Sequence, residues 1–196
     1  MKKNIISSLL IIFITISNLY AQKIITNKLG ENHTIHSKLL KEDRNISVFL
    51  PKNYQDSKKK YPVLYVIDGQ RYFLNGVIYQ QTLGWQEKSP DFIVVGMNTD
   101  NNKRRRLFYE ELISYIDTNY RTSSERIYFG WEMAGGLAIE ILAKTQSMFN
   151  AYLIASPTYI NESRLESLKE RLIIKQDIAD FIYFNSGSLF SFMISA

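Results

Sequence analysis

Two carboxylates stand where this chain passes from strand to helix, and their type suits them to chemistry. Glu132 lies at the turn of R-I-Y-F-G-W-E-M-A-G-G-L-A-I-E-I, residues 126–141. There, β-branched and aromatic residues give way to glycines and then to a helical pattern. Asp68 closes the apolar run P-V-L-Y-V-I and is followed by Gly69. Two neighbouring carboxylates repel, so one keeps its proton to higher pH and can serve as a general acid or base. A carboxylate can also attack carbon, but the enzyme ester then formed needs a general base, ordinarily histidine, before water cleaves it. The only histidines, His33 and His36, precede both turns. The plainer expectation for Glu132 is a solvated or hydrogen-bonded residue on a turn.

Other chemistries are restricted by what the chain contains. It has no cysteine, which excludes disulfides, thiolate metal sites and a cysteine nucleophile. His33 and His36 are three apart in a segment that reads as a strand, so they point to opposite faces and do not pair on a metal. No metal site and no cofactor is expected. Trp131 and Trp85 suit either a pocket for an aromatic or sugar ligand or ordinary packing. Ser156 ends a strand without a base partner and reads as structural. The run Lys103, Arg104, Arg105, Arg106 reads as a solvated basic turn, with anion or substrate-phosphate binding as the alternative.

These residues need elements to hold them. Asn32 to Leu40 and Asn45 to Leu50 read as an antiparallel hairpin turning at 41–44. Pro62 to Ile67, Asp91 to Met97 and Arg126 to Phe129 are short apolar runs suited to strands buried on both faces. Helices are expected over Arg71 to Leu83, around Leu107 to Asn119, and over Met133 to Lys144 and Arg164 to Ile173. Strands follow at Ala151 to Ala155 and Asp180 to Phe184. A hairpin followed by alternating strands and helices predicts one α/β domain with a mostly parallel sheet and helices on both faces.

With 196 residues, 45% hydrophobic and 22% charged, the chain has the balance of a single globular domain. Lys2 and Lys3, an apolar run and a small residue at Ala21 form the pattern of a secretory leader. The expectation is cleavage after Ala21, a domain over residues 22–196, and a periplasmic or extracellular location. An uncleaved membrane anchor is the alternative, but the apolar run is shorter than the ~20 residues a spanning helix needs. The formal charge of +5 drops to +3 without Lys2 and Lys3, too mild to imply nucleic-acid binding. No membrane association is expected after cleavage.

In order along the chain, V-F-L-P, Y-P-V-L-Y-V-I-D-G, I-V-V-G-M-N, E-L-I-S-Y-I-D-T-N-Y-R-T, G-W-E-M-A-G-G, F-N-A-Y-L-I-A-S-P and F-I-Y-F-N-S-G span residues 46–187. Together they resemble the α/β-hydrolase fold. More narrowly, they resemble the putative esterase family, which includes esterase D, ferric-enterobactin esterases and feruloyl esterases. The resemblance implies that the strand ending at Ile67 lies beside the strand ending at Phe129. It implies an oxyanion hole made by the N–H of Met133 and an N–H near Gly69 or Gln70. It also implies a nucleophile elbow in which serine would occupy position 132, then an acid just after the strand ending at Phe184, then a histidine.

The chain departs from that pattern at each catalytic position. Glu132 replaces the serine, Asn185, Ser186, Gly187 and Ser188 occupy the acid region, and no histidine follows. The tail L-F-S-F-M-I-S-A is unlike the family, so the last strand and helix are expected to be missing, which leaves the strand at 180–184 as an exposed edge. Three readings follow. One is a non-catalytic member that keeps a ligand cleft above Asp68 and Glu132, for a small-molecule ester or an aromatic or sugar ligand. The second is a hydrolase working through Glu132 or through parts supplied by another chain. The third is a folding-defective fragment.

Overall fold

The computed structural model describes residues 29–99, 105–144, 148–173, 179, 181–185 and 191–195. The expected leader, Lys103, Arg104, and Ser186 to Ser188 lie outside the described residues. A hairpin opens the described chain, with β1 (Glu31–Ser37) antiparallel to β2 (Glu42–Phe49). Then β3 (Tyr61–Ile67), β4 (Ile93–Met97), β5 (Thr122–Trp131), β6 (Ala151–Ala155) and β7 (Phe181–Asn185) run parallel to one another. The helices are α1 (Gly69–Trp85), α2 (Arg105–Asn119), α3 (Met133–Lys144) and α4 (Glu162–Ile173).

The order β1-β2-β4-β3-β5-β6-β7-β8 makes one sheet of eight strands. β3 lies directly beside β5, as the resemblance implied. A difference from expectation lies at the far edge. β7 does not end the sheet, because β8 (Ser191–Ser195) pairs with it antiparallel. The strand S-F-M-I-S carries no histidine.

Strand alternation sends one set of side chains to each face of the sheet. On the first face, Val63, Tyr65, Ile67, Tyr128, Tyr152 and Ile182 are buried in a core with Leu112 and Ile116 of α2, Ile139 and Leu142 of α3 and Leu168 of α4. The second face carries a smaller core, in which Leu64, Val66 and Val94 pack against Phe73 and Val77 of α1. The helices therefore do lie on both faces, though unequally.

The first core is rich in tyrosine. The rings of Tyr128 and Tyr152 are stacked at 5.4 Å, and Phe149 meets Tyr65, Tyr109 and Tyr128 edge-on. Burial pushes the Tyr65 and Tyr128 phenols well above their ordinary range, with the Asp117 carboxylate adding to the rise at Tyr65 and Tyr109 adding at Tyr128. Tyr120 is pushed up to about 12 by burial first and then by Tyr115, Glu31 and Tyr54. In each case the fold favours the neutral phenol. That contribution to stability is complete below about pH 10, where tyrosine in the unfolded chain ionises, and is lost as pH rises towards the folded values. Urea midpoints measured at a series of alkaline pH values are expected to be flat up to about pH 10 and to fall above it.

Candidate active-site cleft

Parallel neighbours β3 and β5 end on the same edge of the sheet, and each leads directly into a helix. The turns that join them carry the candidate residues. After β3 the turn residue is Asp68, with φ 58° and ψ 47°, and its side chain makes no capping bond to α1. After β5 it is Glu132, with φ 47°. Left-handed backbone is unfavourable for a side chain with a Cβ, by about 1–2 kcal/mol, so something must hold it.

At Glu132 the clamp is a set of backbone bonds. Its N–H donates to the Ala155 carbonyl (3.0 Å), and its carbonyl accepts from the N–H groups of Gly136 (2.9 Å) and Thr158 (3.0 Å). From below, the buried Tyr128 hydroxyl donates to the Ala134 carbonyl at 2.7 Å, which ties β5 to the first turn of α3. None of these bonds uses the side chain at position 132. The elbow is therefore built by its surroundings rather than by the side chain at its tip.

The carboxylate of Glu132 is exposed. It lines a cleft of ≈ 330 Å³ together with Asp68, Gln70, Arg71, Tyr72, Thr99, Trp131, Met133, Thr158 and Tyr159. Met133 opens α3, and Gly69 and Gln70 open α1. First-turn amides have no acceptor within their own helix, and two helix N-termini add a positive field at the cleft. Gly69 itself is buried under the turn: a Cβ there would stand 2.7 Å from the Gly96 carbonyl carbon of β4, so α1 starts in direct contact with the sheet backbone.

Gln70 does more than supply an amide. Its Nε2 donates to the Thr99 carbonyl and its Oε1 accepts the Thr99 N–H, both at 3.1 Å, so the side chain clamps the segment after β4. The Gln70→Ala variant loses both bonds and is expected to cost about 1–2 kcal/mol. Hydrogen exchange should show faster turnover at the Thr99 amide, with α3 unchanged.

Trp131 lies parallel to Tyr72, with centroids 5.8 Å apart and an 8° interplanar angle, and Phe129 meets Tyr72 edge-on. Trp131, Tyr72 and the exposed Tyr159 line the cleft as an aromatic wall. Trp85 is not part of it. It stands 84% exposed at the end of α1 and lines no part of the cleft. Tyr72, Arg71, Thr99, Thr158 and Tyr159 are cleft residues that the sequence reading missed. Arg71 and Tyr72 lie in the first turn of α1, inside a segment with a helical signal, whereas Thr99, Thr158 and Tyr159 lie on irregular segments.

The histidines are far from this cleft. β1 is separated from β5 by three strands, about 19 Å at ordinary strand spacing. His33 Nε2 is 3.2 Å from the Tyr120 hydroxyl and His36 Nδ1 is 2.7 Å from Asp43 Oδ1, on opposite faces of the strand. Asn185 ends β7 at the expected place of the acid, with its Nδ2 donating to the Tyr183 hydroxyl at 3.3 Å. Arg105 and Arg106 of the basic run lie in the first turn of α2.

A parallel sheet entered through a hairpin, with a strained strand-to-helix elbow beside the turn of the neighbouring strand, defines an α/β-hydrolase fold. The model of the putative esterase family matches residues 37–164, well over half of the chain. The chain belongs to that family.

Solved structures agree. The BES protein from Bacillus cereus is 26% identical with a TM-score of 0.69, over 86% of this chain and 77% of that one. An IroE-like serine hydrolase from Shewanella oneidensis is 23% identical with a TM-score of 0.61, over 74% of this chain and 56% of that one. The siderophore hydrolase EstA from Aspergillus nidulans is 15% identical with a TM-score of 0.67, over 83% and 70%. The last two speak to fold alone. This chain spans little more than half the length of the Shewanella protein. No curated protein sequence matches it.

Proposed function

We propose that this esterase-family chain uses its cleft to bind a small molecule and does not hydrolyse it through a serine triad. The observation that carries the reading is Glu132 at the tip of an intact elbow. Acyl transfer by this route requires a hydroxyl nucleophile, a histidine to take its proton and an acid to orient the histidine. The chain offers a carboxylate, two histidines on β1 and an asparagine at those places. The parts that remain are the ones binding needs: helix-opening amides, Arg71 and an aromatic wall. A small ester or an aromatic or sugar ligand is the class that these groups suit. The residue pattern before Ala21 supports export as the setting in which it works.

Calorimetric titration with aromatic acids, their short esters and simple sugars tests this. Binding to the purified chain that is lost in Trp131→Ala supports the reading. Steady turnover of p-nitrophenyl esters that disappears in Glu132→Gln overturns it in favour of a carboxylate-based hydrolase.

A further inference from the structure

The cleft at the elbow carries an uneven charge. Among the described residues, Asp68 and Glu132 bring two carboxylates to it and Arg71 brings one guanidinium. Glu132 decides the sign, because Asp68 and Arg71 alone would balance. Its carboxylate is exposed and makes no hydrogen bond or ion pair with another described residue. Asp68 acts on the same place. Burial is the main reason that the Tyr128 phenol beneath the elbow resists ionisation, but the Asp68 carboxylate adds to the effect, which puts it within electrostatic reach of the end of β5.

The wall beside these carboxylates also suits a cation. Trp131 rests one face on Tyr72, with the rings 8° from parallel, and is still 39% exposed. Tyr159 is 79% exposed. The face of an aromatic ring is negative and attracts cations, most strongly at tryptophan. The protein uses this contact elsewhere, where the Arg121 guanidinium stands 3.8 Å over the Tyr54 ring. Among the described residues no side-chain cation covers Trp131, Tyr72 or Tyr159, so these rings are left to a ligand.

The helix-opening amides pull the other way, since their field favours anions. That field falls off within one turn, and Glu132 stands at the start of α3, where its own charge takes it up. An incoming carboxylate would meet Glu132 at close range, whereas a neutral carbonyl can accept from the Met133 amide without that repulsion. Resting on the reading that this cleft binds a small molecule, we propose that its ligand is an organic cation. The class is a primary or quaternary ammonium on an aromatic or ester-bearing body, its charge met by Glu132 and the aromatic wall. At ≈ 330 Å³ the cleft lies at the small end of ligand sites, which run from about 300 to 1,000 Å³.

Three probes built on one ring make the test: benzyltrimethylammonium, benzyl alcohol and benzoate. Each is titrated calorimetrically into the full chain as wild type, Glu132→Gln and Trp131→Ala. The expected result is a preference of about tenfold for the cation over the alcohol, with benzoate the weakest. Glu132→Gln is expected to shrink that preference about fivefold, and added sodium chloride should shrink it too, because an exposed pair is screened. The bonds that hold the elbow are to backbone, so Glu132→Gln should fold, and far-UV circular dichroism checks that it does. Benzoate bound at least as tightly as the cation overturns the proposal, as does a preference unchanged in Glu132→Gln. In either outcome, binding of benzoate or the alcohol that is lost in Trp131→Ala leaves the cleft itself standing as a binding site. Absence of binding by all three probes overturns the proposal, and the sugar titrations then decide separately whether the cleft binds a ligand.

Discussion

Glu132→Ser is expected to leave this chain without esterase activity. With p-nitrophenyl acetate, wild type and variant should both stay about a million-fold below an intact serine triad. Triad members act as a unit, and losing one costs nearly as much as losing all three. The introduced serine would stand on a correctly shaped elbow, since the bonds from Ala155, Gly136 and Thr158 are all to backbone. Among the described residues the histidines stand on β1, about 19 Å away across the sheet, so none is expected to serve it as a base. Helix-opening amides at Met133 and Gln70 can stabilise a developing oxyanion, so a residual acceleration of about 10³–10⁴ over water is the ceiling. A variant rate far above that ceiling would mean that a proton acceptor reaches the new hydroxyl from outside the described residues.

The second large effect is on folding. In Gly136→Ala the new Cβ would stand 2.0 Å from the Thr158 carbonyl oxygen. That oxygen belongs to a backbone segment whose N–H is already bonded to Glu132, so it cannot move aside without releasing the elbow. Overpacking against backbone should cost about 3 kcal/mol. For a chain of this length that is a fall of about 6–12 °C in Tm. Gly84→Ala is the control. Its Cβ would approach only the tip of Asp91, at 3.2 Å, and the gain in helix propensity offsets the crowding. Scanning calorimetry of the two variants should separate them clearly, and equal melting temperatures would show that the α3 start is looser than its geometry indicates.

Elements with a strong apolar signal were legible in the sequence almost to the residue. α3 and β6 have the bounds that their patterns predict, because nearly every side chain in them is buried or half-buried. β5 was read four residues too short at its start, since Thr122, Ser123, Ser124 and Glu125 have no apolar alternation. They are strand only because Thr122 pairs with Tyr61 across a bulge. β8 was not legible at all: a five-residue edge strand is specified by its partner more than by its own composition. In the cleft, the turn residues Asp68, Trp131 and Glu132 were marked by the strand-to-helix pattern, while Gln70 and Met133 were named only through the family resemblance. Tyr159, with φ 58°, did not, because nothing local marks a tyrosine for left-handed backbone. The clamp between Gln70 and Thr99 joins residues 29 apart and has no trace in the sequence.

The placement of the two tryptophans has an optical consequence. Trp131, stacked on Tyr72 at the cleft, and Trp85, projecting from α1, are the only indoles in the chain. Each therefore reports on a different surface by fluorescence. Trp85 should emit as indole does in water and be readily quenched by acrylamide. Trp131 should respond to whatever enters the cleft. Trp85→Phe isolates the signal of the cleft, and Trp131→Phe isolates that of the helix, so one instrument follows the two surfaces separately without any added dye.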